Sequence, residues 1–414
     1  MSVAQSQADT KRKVFLFLQG PSSPLFAKIA KRLEVAGHTC LRINFNLGDR
    51  IFWGRKVAVE YRGRRADWPA YIARFLSDKG VTDLILLGEE RPYHKAATKA
   101  AHALDIQVHV VEMGYLRPDW VTFERDGMSG NSRFPKDPAV ILAAAEKLPE
   151  PDWTQRYHQT FLTEASYDLL YNLSNVFFWF LYPHYERHAV FHPLAEYAGW
   201  VRRLLRSKSR RSEAEIAINF HIAHANEQPY FVYPLQLQTD YQLRAHSDFN
   251  GQEDAIETVV ASFAKHASER TRLLIKIHPL DNGLIDWQSV VYQVAVKYRA
   301  EGRISVIDGG NLEHLYTKAS GVVTVNSTAA LPALRLGKPV KVLGRAVYDI
   351  DGLTYQSGLD DFWERSIPPV SDLVVSFFRL LADKYQVRGN FYSAAGTDAA
   401  AMEIVCRLFP DAWQ

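Results

Sequence analysis

Residues 321–344, GVVTVNSTAALPALRLGKPVKVLG, most limit what this chain can fold into. The run VVTV is β-branched and apolar, which is typical of a buried parallel strand. Asn326, Ser327 and Thr328 follow it and favour a helix start, and an Ala/Leu-rich helix is predicted up to Gly337. This order points backbone N–H groups and the positive end of the helix dipole at one place, where α/β proteins bind phosphate. An ordinary capped crossover helix has the same pattern, so both interpretations stay open.

A second predicted strand ends in polar side chains upstream of that stretch. Residues 273–279 read LLIKIHP, and Lys276 and His278 lie on the same side of a strand with a period of two. Open α/β sheets bind their ligands at the carboxyl ends of the strands. Lys276 can neutralise a phosphate and His278 can donate a proton to it, although a His-Pro pair alone is common in loops. Together the two stretches predict a nucleotide phosphate site.

The composition is that of a large globular protein with an ordinary core. The chain has 414 residues, of which 47% are hydrophobic and 23% charged, and its net charge of +3 gives no argument for a nucleic-acid partner. Cys40 and Cys406 are its two cysteines, so we expect neither a disulfide nor a zinc site. No run of about 20 apolar residues occurs, and the N-terminus lacks a signal-peptide segment. We therefore expect a cytoplasmic protein.

Carboxylates follow two predicted strands in the first half of the chain. Glu90 comes after the strand at residues 81–87, and Glu112 comes after the strand at residues 107–111. Arg91 lies beside the first, and Tyr115 and Arg117 follow the second. Carboxylates at strand ends suit acid, base or nucleophile chemistry. Two loop salt bridges are the alternative.

Residues 150–212 combine an aromatic segment with a basic one. LYNLSNVFFWFLYPHY, residues 170–185, is too short to span a bilayer, and RRLLRSKSRR, residues 202–211, is strongly cationic. This order predicts contact with an anionic membrane surface. A buried interdomain helix followed by a solvated linker explains it equally well.

The order of predicted strands and helices indicates two α/β domains. We predict five parts: a disordered leader at 1–12, a Rossmann-like acceptor domain at 13–150, a helical aromatic and basic connecting segment at 151–215, a nucleotide-sugar-binding domain at 216–365, and C-terminal helices at 366–414 that cross back to the first domain. Two such domains facing across a cleft, with the phosphate site in the second, are the architecture of GT-B glycosyltransferases.

Seven segments along the chain resemble one family, and they read FLQGPSSPLF, LRINFNLGDRIFW, EMGYLRPDWVTFE, YPLQLQTDYQLRAHS, KIHPLD, VNSTAALPALRLGKPV and YDIDGLT. They are similar to the capsule polysaccharide biosynthesis and export family of retaining β-Kdo glycosyltransferases, and especially to members that add the first Kdo to a phosphatidylglycerol-type lipid. The resemblance implies CMP-Kdo as donor and phosphatidylglycerol or its lyso form as acceptor. It also implies other capsule assembly proteins as partners and a peripheral position on the inner membrane.

The resemblance also implies roles for particular residues. It places the CMP-Kdo donor against polar residues after the second-domain strands, which are Lys276, His278, Pro279, Asn326, Ser327, Thr328 and Gln238. Acceptor or sugar contacts fall on small, polar and basic residues of the first domain, which are Gln19, Gly20, Ser22, Ser23, Asn44, Tyr115 and Arg117.

Catalysis is expected from Glu112 and His278, with Glu90 and Asp240 as reserve carboxylates. Related Kdo transferases have Glu-Asp-Gly where this chain has Glu112, Met113 and Gly114. If the Asp is the nucleophile in those relatives, the sequence does not identify the nucleophile of this chain. Retention of configuration requires two inversions or an internal return path.

No cofactor and no metal are expected, since no Asp-x-Asp run stands at a strand end. Two other functions remain open. One is a non-catalytic accessory protein that binds a capsule glycolipid for export, and the other is a nucleotide-sugar epimerase of GT-B shape.

Overall fold

The computed structural model describes residues 12–55, 57–187 and 190–409. The disordered leader predicted at residues 1–12 lies outside the described residues, except for Arg12.

The strands are short and mostly buried, and in chain order they are β1 (Val14–Phe17), β2 (Thr39–Asn44), β3 (Val59–Glu60), β4 (Asp83–Leu87), β5 (Gln107–Met113), β6 (Trp120–Arg125), β7 (Tyr230–Pro234), β8 (Arg272–Lys276), β9 (Ile304–Ile307), β10 (Gly321–Thr324), β11 (Val340–Val342) and β12 (Gln386–Arg388). The α-helices are α1 (Leu25–Val35), α2 (Leu47–Trp53), α3 (Trp68–Asp78), α4 (Pro92–Ala103), α5 (Pro138–Ala145), α6 (Phe161–Phe177), α7 (Pro193–Leu205), α8 (Ser207–Ala223), α9 (Tyr241–Ala245), α10 (Gln252–His266), α11 (Trp287–Lys297), α12 (Leu312–Tyr316), α13 (Leu331–Arg335), α14 (Leu359–Arg365), α15 (Ser371–Leu380) and α16 (Ala394–Leu408).

The chain forms two compact units. The first unit comprises Met1–Met128, Trp153–His188 and Gln386–Gln414, and the second comprises Ser129–Asp152 and Ala189–Tyr385. Each unit contains one sheet with its own buried core. The predicted α/β class, with two Rossmann-like units, is confirmed.

The first unit is built on a seven-stranded sheet with the order β12-β6-β5-β4-β1-β2-β3. Its strands β1 to β5 run parallel, whereas β6 pairs antiparallel with both β5 and β12. Six of these strands, in the order β3-β2-β1-β4-β5-β6, follow the strand order of a Rossmann fold. The order reverses between β1 and β4. This reversal is the topological switch point of the first sheet.

The second unit is built on a five-stranded, all-parallel sheet with the order β11-β10-β7-β8-β9. Its switch point lies between β7 and β10. One face of this sheet packs against α10 through a core that includes Phe231, Leu273, Val323 and Phe263. Burial on both faces explains why these strands read as continuous apolar runs in the sequence.

Residues 129–152 belong to the second unit, although the sequence prediction placed 129–150 in the first domain and 151–152 in the connecting segment. Packing explains the difference, since the Phe134 ring contacts the Phe377 ring with centroids 5.0 Å apart and a tilt of 58°. The Lys136 ammonium also donates hydrogen bonds to the carbonyls of Ala346 and Val347, at 2.7 and 3.0 Å. These contacts join segments that are far apart in the sequence, so local sequence patterns do not reveal them.

The predicted connecting segment, 151–215, is divided between the units. Trp153–His188 belongs to the first unit, and α7 and α8 belong to the second. Helix α6 is fixed to the first unit because the Gly48 N–H donates to Asn175 Oδ1 at 3.0 Å and the Tyr171 ring lies over Gly48. A Cβ at Gly48 would lie 2.5 Å from Tyr171 Cδ2, so this close approach requires glycine.

Candidate functional site

At the switch point of the second sheet, two polar side chains meet. Gln236 follows β7 and Asn326 follows β10, and Gln236 Nε2 donates to Asn326 Oδ1 at 2.7 Å. In return, the Asn326 backbone N–H donates to Gln236 Oε1 at 3.3 Å. Open α/β sheets bind ligands in the crevice at this point, so the geometry defines a candidate site. We call it the switch-point site of the second unit.

The predicted helix after Asn326 is shorter than the sequence indicated. Thr328–Ala330 form a 3₁₀ turn, and α13 has only five residues, with Pro332 in its first turn. Several backbone N–H groups are already used within the turn. That of Ser327 donates to Thr324 Oγ1, and that of Ala329 donates to Ser327 Oγ, both at 3.1 Å. A helix this short has a small dipole, so the predicted dipole contribution to phosphate binding is corrected downwards.

Lys276 is the last residue of β8 and is only 3% exposed. Among the described residues, no hydrogen bond or ion pair to its ammonium group is found within 4 Å. Burial lowers the pKa of Lys276, and the charge of Asp308 opposes this shift. A buried cation with no ion pair within 4 Å is costly, so this lysine, one strand away from the switch point, indicates a site for an anion.

Alternation along the strands places these groups on one side of the sheet. Leu235, Ile277 and Val325 belong to the core on the α10 side. Their neighbours Gln236, Lys276 and Asn326 therefore face the opposite side, as does His278. The prediction that Lys276 and His278 lie on the same side agrees with this arrangement.

His278 and Pro279 open a loop that is held by buried hydrogen bonds. The Leu280 N–H donates to His278 Nδ1 at 3.1 Å, so the neutral ring carries its proton on Nε2. An Nε2–H group is a hydrogen-bond donor of the kind a phosphate oxygen accepts. Asp281 fixes the rest of the loop, because it accepts from Trp287 Nε1 at 2.9 Å and from the Gly283 N–H at 2.8 Å.

Two arginines of the basic run are fixed to the second unit. Arg203 donates to both oxygens of Asp308, at 3.1 and 2.7 Å, and Arg210 donates to Asp308 Oδ1 at 2.9 Å. Gly283 has a φ of +68°, and a Cβ there would lie 2.8 Å from Arg203 Cδ. Asp308 follows β9, so these contacts attach α7 and α8 near the loop that carries His278.

Gln238 and Asp240 act at helix starts in this structure. Gln238 Oε1 accepts from the Gln252 N–H at 3.0 Å, and its Nε2 donates to Glu253 Oε2 at 2.9 Å, which caps α10. Asp240 caps α9 by accepting from the Gln242 N–H at 2.9 Å. Both have structural roles besides those predicted from the sequence.

Glu112 lies near the end of β5, beside the loop that follows β4. Its Oε1 accepts from the Met113 N–H at 3.0 Å, and its Oε2 lies 3.9 Å from Arg91. A Cβ at Gly88, whose φ is +60°, would lie 3.0 Å from Glu112 Oε2. The carboxylate is partly exposed and held by a cation, which fits an electrostatic or nucleophilic role.

Met113 and Glu90 differ from Glu112 in their surroundings. Met113 is exposed, and alternation along β5 places it on the opposite face from Glu112. A carboxylate at that position would therefore not replace Glu112. Glu90 pairs with Lys95 at 2.7 Å.

Gln19 and Asn44 belong to a buried polar cluster in the first unit. Gln19 Nε2 donates to the hydroxyls of Tyr171 and Tyr185, and Asn44 Oδ1 accepts from Arg42 Nε at 2.7 Å. Arg42 also lies 3.5 Å from Asp49, and both side chains are buried. We call these residues, with Asn46, the closed cluster: Gln19, Arg42, Asn44, Asn46, Asp49, Tyr171 and Tyr185.

The remaining predicted acceptor residues have mainly local contacts. Gly20 lies under the Phe26 ring, since a Cβ there would be 2.7 Å from Phe26 Cδ2. Ser23 is buried, and its Oγ accepts from the Leu25 N–H at 3.3 Å. The Ser22 side chain hydrogen-bonds Tyr392.

Tyr115 and Arg117 follow β5. The Tyr115 hydroxyl donates to Glu124 Oε1 at 2.7 Å, so it is used inside the unit. Arg117 is exposed, and its Nε donates to the Gly114 carbonyl at 3.4 Å.

Neither a metal cluster nor a membrane-spanning helix occurs in residues 12–55, 57–187 and 190–409. Within those ranges no three His, Cys, Asp or Glu side chains are grouped to hold a metal ion. No helix there is both long and apolar enough to cross a bilayer. Metal-independent chemistry stays a prediction.

Sequence reasoning did not assign roles to Gln236, Asp308 or Arg42. Asp308 follows β9 directly and Gln236 comes two residues after β7, so a polar residue at a strand end was a usable signal. Arg42 lies within β2 itself, where a charge inside an apolar strand was the available signal of a buried ion pair.

Comparison with known proteins places the chain in one family. The model of the family described as "capsule polysaccharide biosynthesis protein" matches residues 82–392. The capsule polysaccharide export protein KpsS of Escherichia coli is 31% identical over 380 residues, which cover 92% of this chain and 97% of that protein. The capsule polysaccharide modification protein LipB of Neisseria meningitidis serogroup A is 30% identical over 383 residues, which cover 91% of each.

Among solved structures, the chain is similar to Thermosulfurimonas dismutans KpsC, a beta Kdo 2,7 transferase, with a TM-score of 0.45 and 14% identity over 96% of this chain and 100% of that one. The family model and the two curated relatives cover most of the sequence. The chain therefore belongs to the capsule polysaccharide biosynthesis protein family.

Proposed function

We propose that this protein transfers a β-Kdo residue from CMP-Kdo to a phosphatidylglycerol-type lipid and so starts the poly-Kdo linker of a capsular polysaccharide. Membership of a capsule polysaccharide biosynthesis family supports the pathway, and relatives named for capsule modification support a change to the glycan. Under this proposal the protein works in the cytoplasm at the inner membrane, needs no metal, and acts with other capsule assembly proteins.

The observation that carries the proposal is the buried Lys276 beside the switch-point site. Lys276 is 3% exposed, and burial lowers its pKa. A bound anion would therefore stabilise its charged form strongly. His278 presents an Nε2–H donor on the same side of the sheet. A cation and a neutral donor together suit the phosphate of a nucleoside monophosphate.

The chemistry begins with loss of CMP from the donor. The bond between the anomeric carbon of Kdo and the phosphate oxygen breaks, and its electron pair leaves with CMP. Lys276 and His278 stabilise the phosphate charge that develops, which lowers the need for an acid catalyst.

Glu112 is our assignment for the carboxylate that captures or stabilises the anomeric carbon. Arg91 places a positive charge 3.9 Å from Glu112 Oε2. The lipid hydroxyl then bonds to the anomeric carbon, and the released carboxylate takes its proton. Two displacements in sequence give net retention. Glu90 and Asp240 are the reserve candidates.

The test is to incubate the purified protein with CMP-Kdo and a short-chain phosphatidylglycerol and to search for a Kdo-sized mass increment on the lipid. We expect the increment from the unchanged protein and from His314→Ala, an exposed histidine of the second unit. We expect His278→Ala to lose CMP release while its unfolding temperature stays the same. Normal turnover by His278→Ala refutes the assignment of that residue. Activity lost on EDTA treatment and restored by magnesium refutes metal independence.

A second candidate is a non-catalytic protein that binds a capsule glycolipid for export. The name of the Escherichia coli relative, an export protein, favours it. It predicts that the protein binds a Kdo-bearing lipid tightly but never releases CMP from CMP-Kdo. Measuring both quantities on one preparation separates the candidates.

A further inference from the structure

Four consecutive aromatic residues are exposed where helix α6 ends. Phe177 is the last residue of α6, and Trp179 begins a 3₁₀ turn. Phe177, Phe178, Trp179 and Phe180 are 62%, 48%, 64% and 57% exposed, respectively. We call residues 177–180 the aromatic tip. Contiguous exposed aromatic side chains are costly in water and mark a surface that binds something apolar.

The aromatic tip is held in place by the first unit on both sides. Before it, Tyr171 and Asn175 of α6 bond to the closed cluster and to the Gly48 N–H. After it, the Tyr182 hydroxyl donates to Glu60, and Tyr185 accepts from Gln19. The segment on either side is thus anchored, so the exposed rings project from a fixed base.

Cationic side chains contact the segment that directly follows the aromatic tip in the same unit. The Arg62 guanidinium lies 5.7 Å from the centre of the Tyr182 ring, and Arg65 pairs with Glu186 at 3.1 Å. Arg64, between them in sequence, is exposed. The loop at residues 62–65 therefore contacts the segment that follows the tip, and the exposed Arg62 and Arg64 bring positive charge there.

We propose that the aromatic tip inserts into the interface of an anionic bilayer, with the arginines at 62–65 against the lipid head groups. Phe and Trp are the side chains that partition into membrane interfaces, and nearby arginines select anionic lipids. The proposal goes beyond the transfer reaction, because it concerns where the chain binds a membrane and stands whether or not a sugar is transferred.

This surface differs from the one expected from the sequence, where the basic run at 202–211 carried the charge. Arg203 and Arg210 of that run bond to Asp308 inside the second unit. The run also belongs to a different unit from the aromatic tip. Arg206 and Arg211 of the run are exposed and provide a matched control for the arginines at 62–65.

The test is co-flotation of the full chain with vesicles of phosphatidylglycerol and phosphatidylcholine, and with vesicles of phosphatidylcholine alone. No sugar donor is present, so the result is independent of transfer. We expect Trp179→Ser with Phe180→Ser to weaken binding to the mixed vesicles about tenfold or more, because two large apolar side chains no longer insert. We expect Arg62→Gln with Arg64→Gln to remove the preference for the anionic vesicles.

The control pair Arg206→Gln and Arg211→Gln should bind like the unchanged protein. High salt should weaken binding only in part, since insertion of apolar rings is not screened. The proposal is overturned if the aromatic double variant keeps full vesicle binding with an unchanged unfolding temperature, or if the control pair has the larger effect. It is also overturned if the protein is a dimer that the aromatic variant dissociates, because the tip then binds a second copy.

Discussion

The two switch points have the same topology but different polar chemistry. In the first unit, Gln19 after β1 and Asn46 after β2 both donate to the Tyr171 hydroxyl of α6 within the closed cluster. In the second unit, Lys276 is buried beside the switch point without a close partner among the described residues. Topology alone therefore does not locate a ligand. The partners of the buried polar groups separate a site that holds the fold together from one prepared for an anion.

Removing a charge from the closed cluster tests whether that cluster holds the fold together. Arg42→Met leaves the Asp49 carboxylate buried without its cation, so the free energy of unfolding should fall by about 3 to 5 kcal/mol. Denaturant unfolding measures this. Arg55→Met is the control, because Arg42 and Arg55 lie 5.4 and 5.2 Å from the centre of the Trp53 ring.

Arg55 pairs with Glu34 near the surface, so its loss should cost below about 1 kcal/mol. A small effect of Arg42→Met would mean that the cluster is not structural. In that case Gln19 and Asn44 regain the acceptor role predicted from the sequence.

The matching change in the second unit is Lys276→Met. We expect CMP release to fall by roughly 10²- to 10³-fold, as when one group that stabilises developing charge is removed. The unfolding temperature should stay the same or rise, because a methionine fills the space without a buried charge. Measuring both on one variant distinguishes a binding lysine from a structural one.

Lys341→Met provides the control for this lysine. Lys341 is half-buried and donates to the carbonyls of Tyr355 and Ser357, at 3.2 and 2.6 Å. Its loss should lower stability and leave CMP release unchanged. The comparison fails if Lys276→Met unfolds more easily than Lys341→Met and still turns over.

Acid should weaken the first unit through His94. Burial lowers the pKa of His94 to about 3 from its ordinary value of 6.5. Between these values the unfolded chain binds a proton that the folded chain does not, so stability falls as pH falls, by at most about 1.4 kcal/mol per pH unit.

Urea unfolding at several pH values from 7.5 down to 4.5 should show this slope, and His94→Gln should flatten it. His102→Gln is the control, since His102 is exposed and pairs with Asp126 at 3.1 Å. An equal slope in His94→Gln and the unchanged protein would show that the titrating group lies elsewhere.

The smallest expected effect separates two glutamines of the second unit. Gln238→Ala removes the cap of α10 and should cost about 1 kcal/mol of stability with CMP release nearly unchanged. Gln236→Ala, at the switch point, should instead weaken donor binding. If Gln238→Ala reduces donor affinity more than Gln236→Ala does, Gln238 contacts the donor as predicted from the sequence.

The sequence predicted the sheets well because buried parallel strands are continuous apolar runs. The runs VVTV and LLIKI became β10 and β8, and Lys276 and His278 fell at a strand end. The helix after Asn326 was predicted too long because ALPALRL has a helical composition, while Pro332 falls where a 3₁₀ turn gives way to a new helix.

Other features depend on contacts between distant segments and had no local signal. The packing of α5 on α15 moves residues 129–152 into the second unit. The bonds of Tyr171 to Asn46 and Asp49 join residues more than a hundred positions apart. Gln19 and Asn44 therefore looked like free polar groups in the sequence, and the partners that engage them became visible only in three dimensions.

Helices α1 and α16 pack against each other in the first unit, and β12 completes the sheet of that unit beside β6. The second unit is formed from two segments, Ser129–Asp152 and Ala189–Tyr385, that lie between segments of the first unit in the sequence. During synthesis on a ribosome, the sheet of the first unit is complete only once β12 has been made. The five strands of the second sheet, β7 to β11, all precede β12 in the chain. A chain that stops after Tyr385 lacks β12 and α16. Limited proteolysis should therefore cleave its first unit and leave its second unit intact.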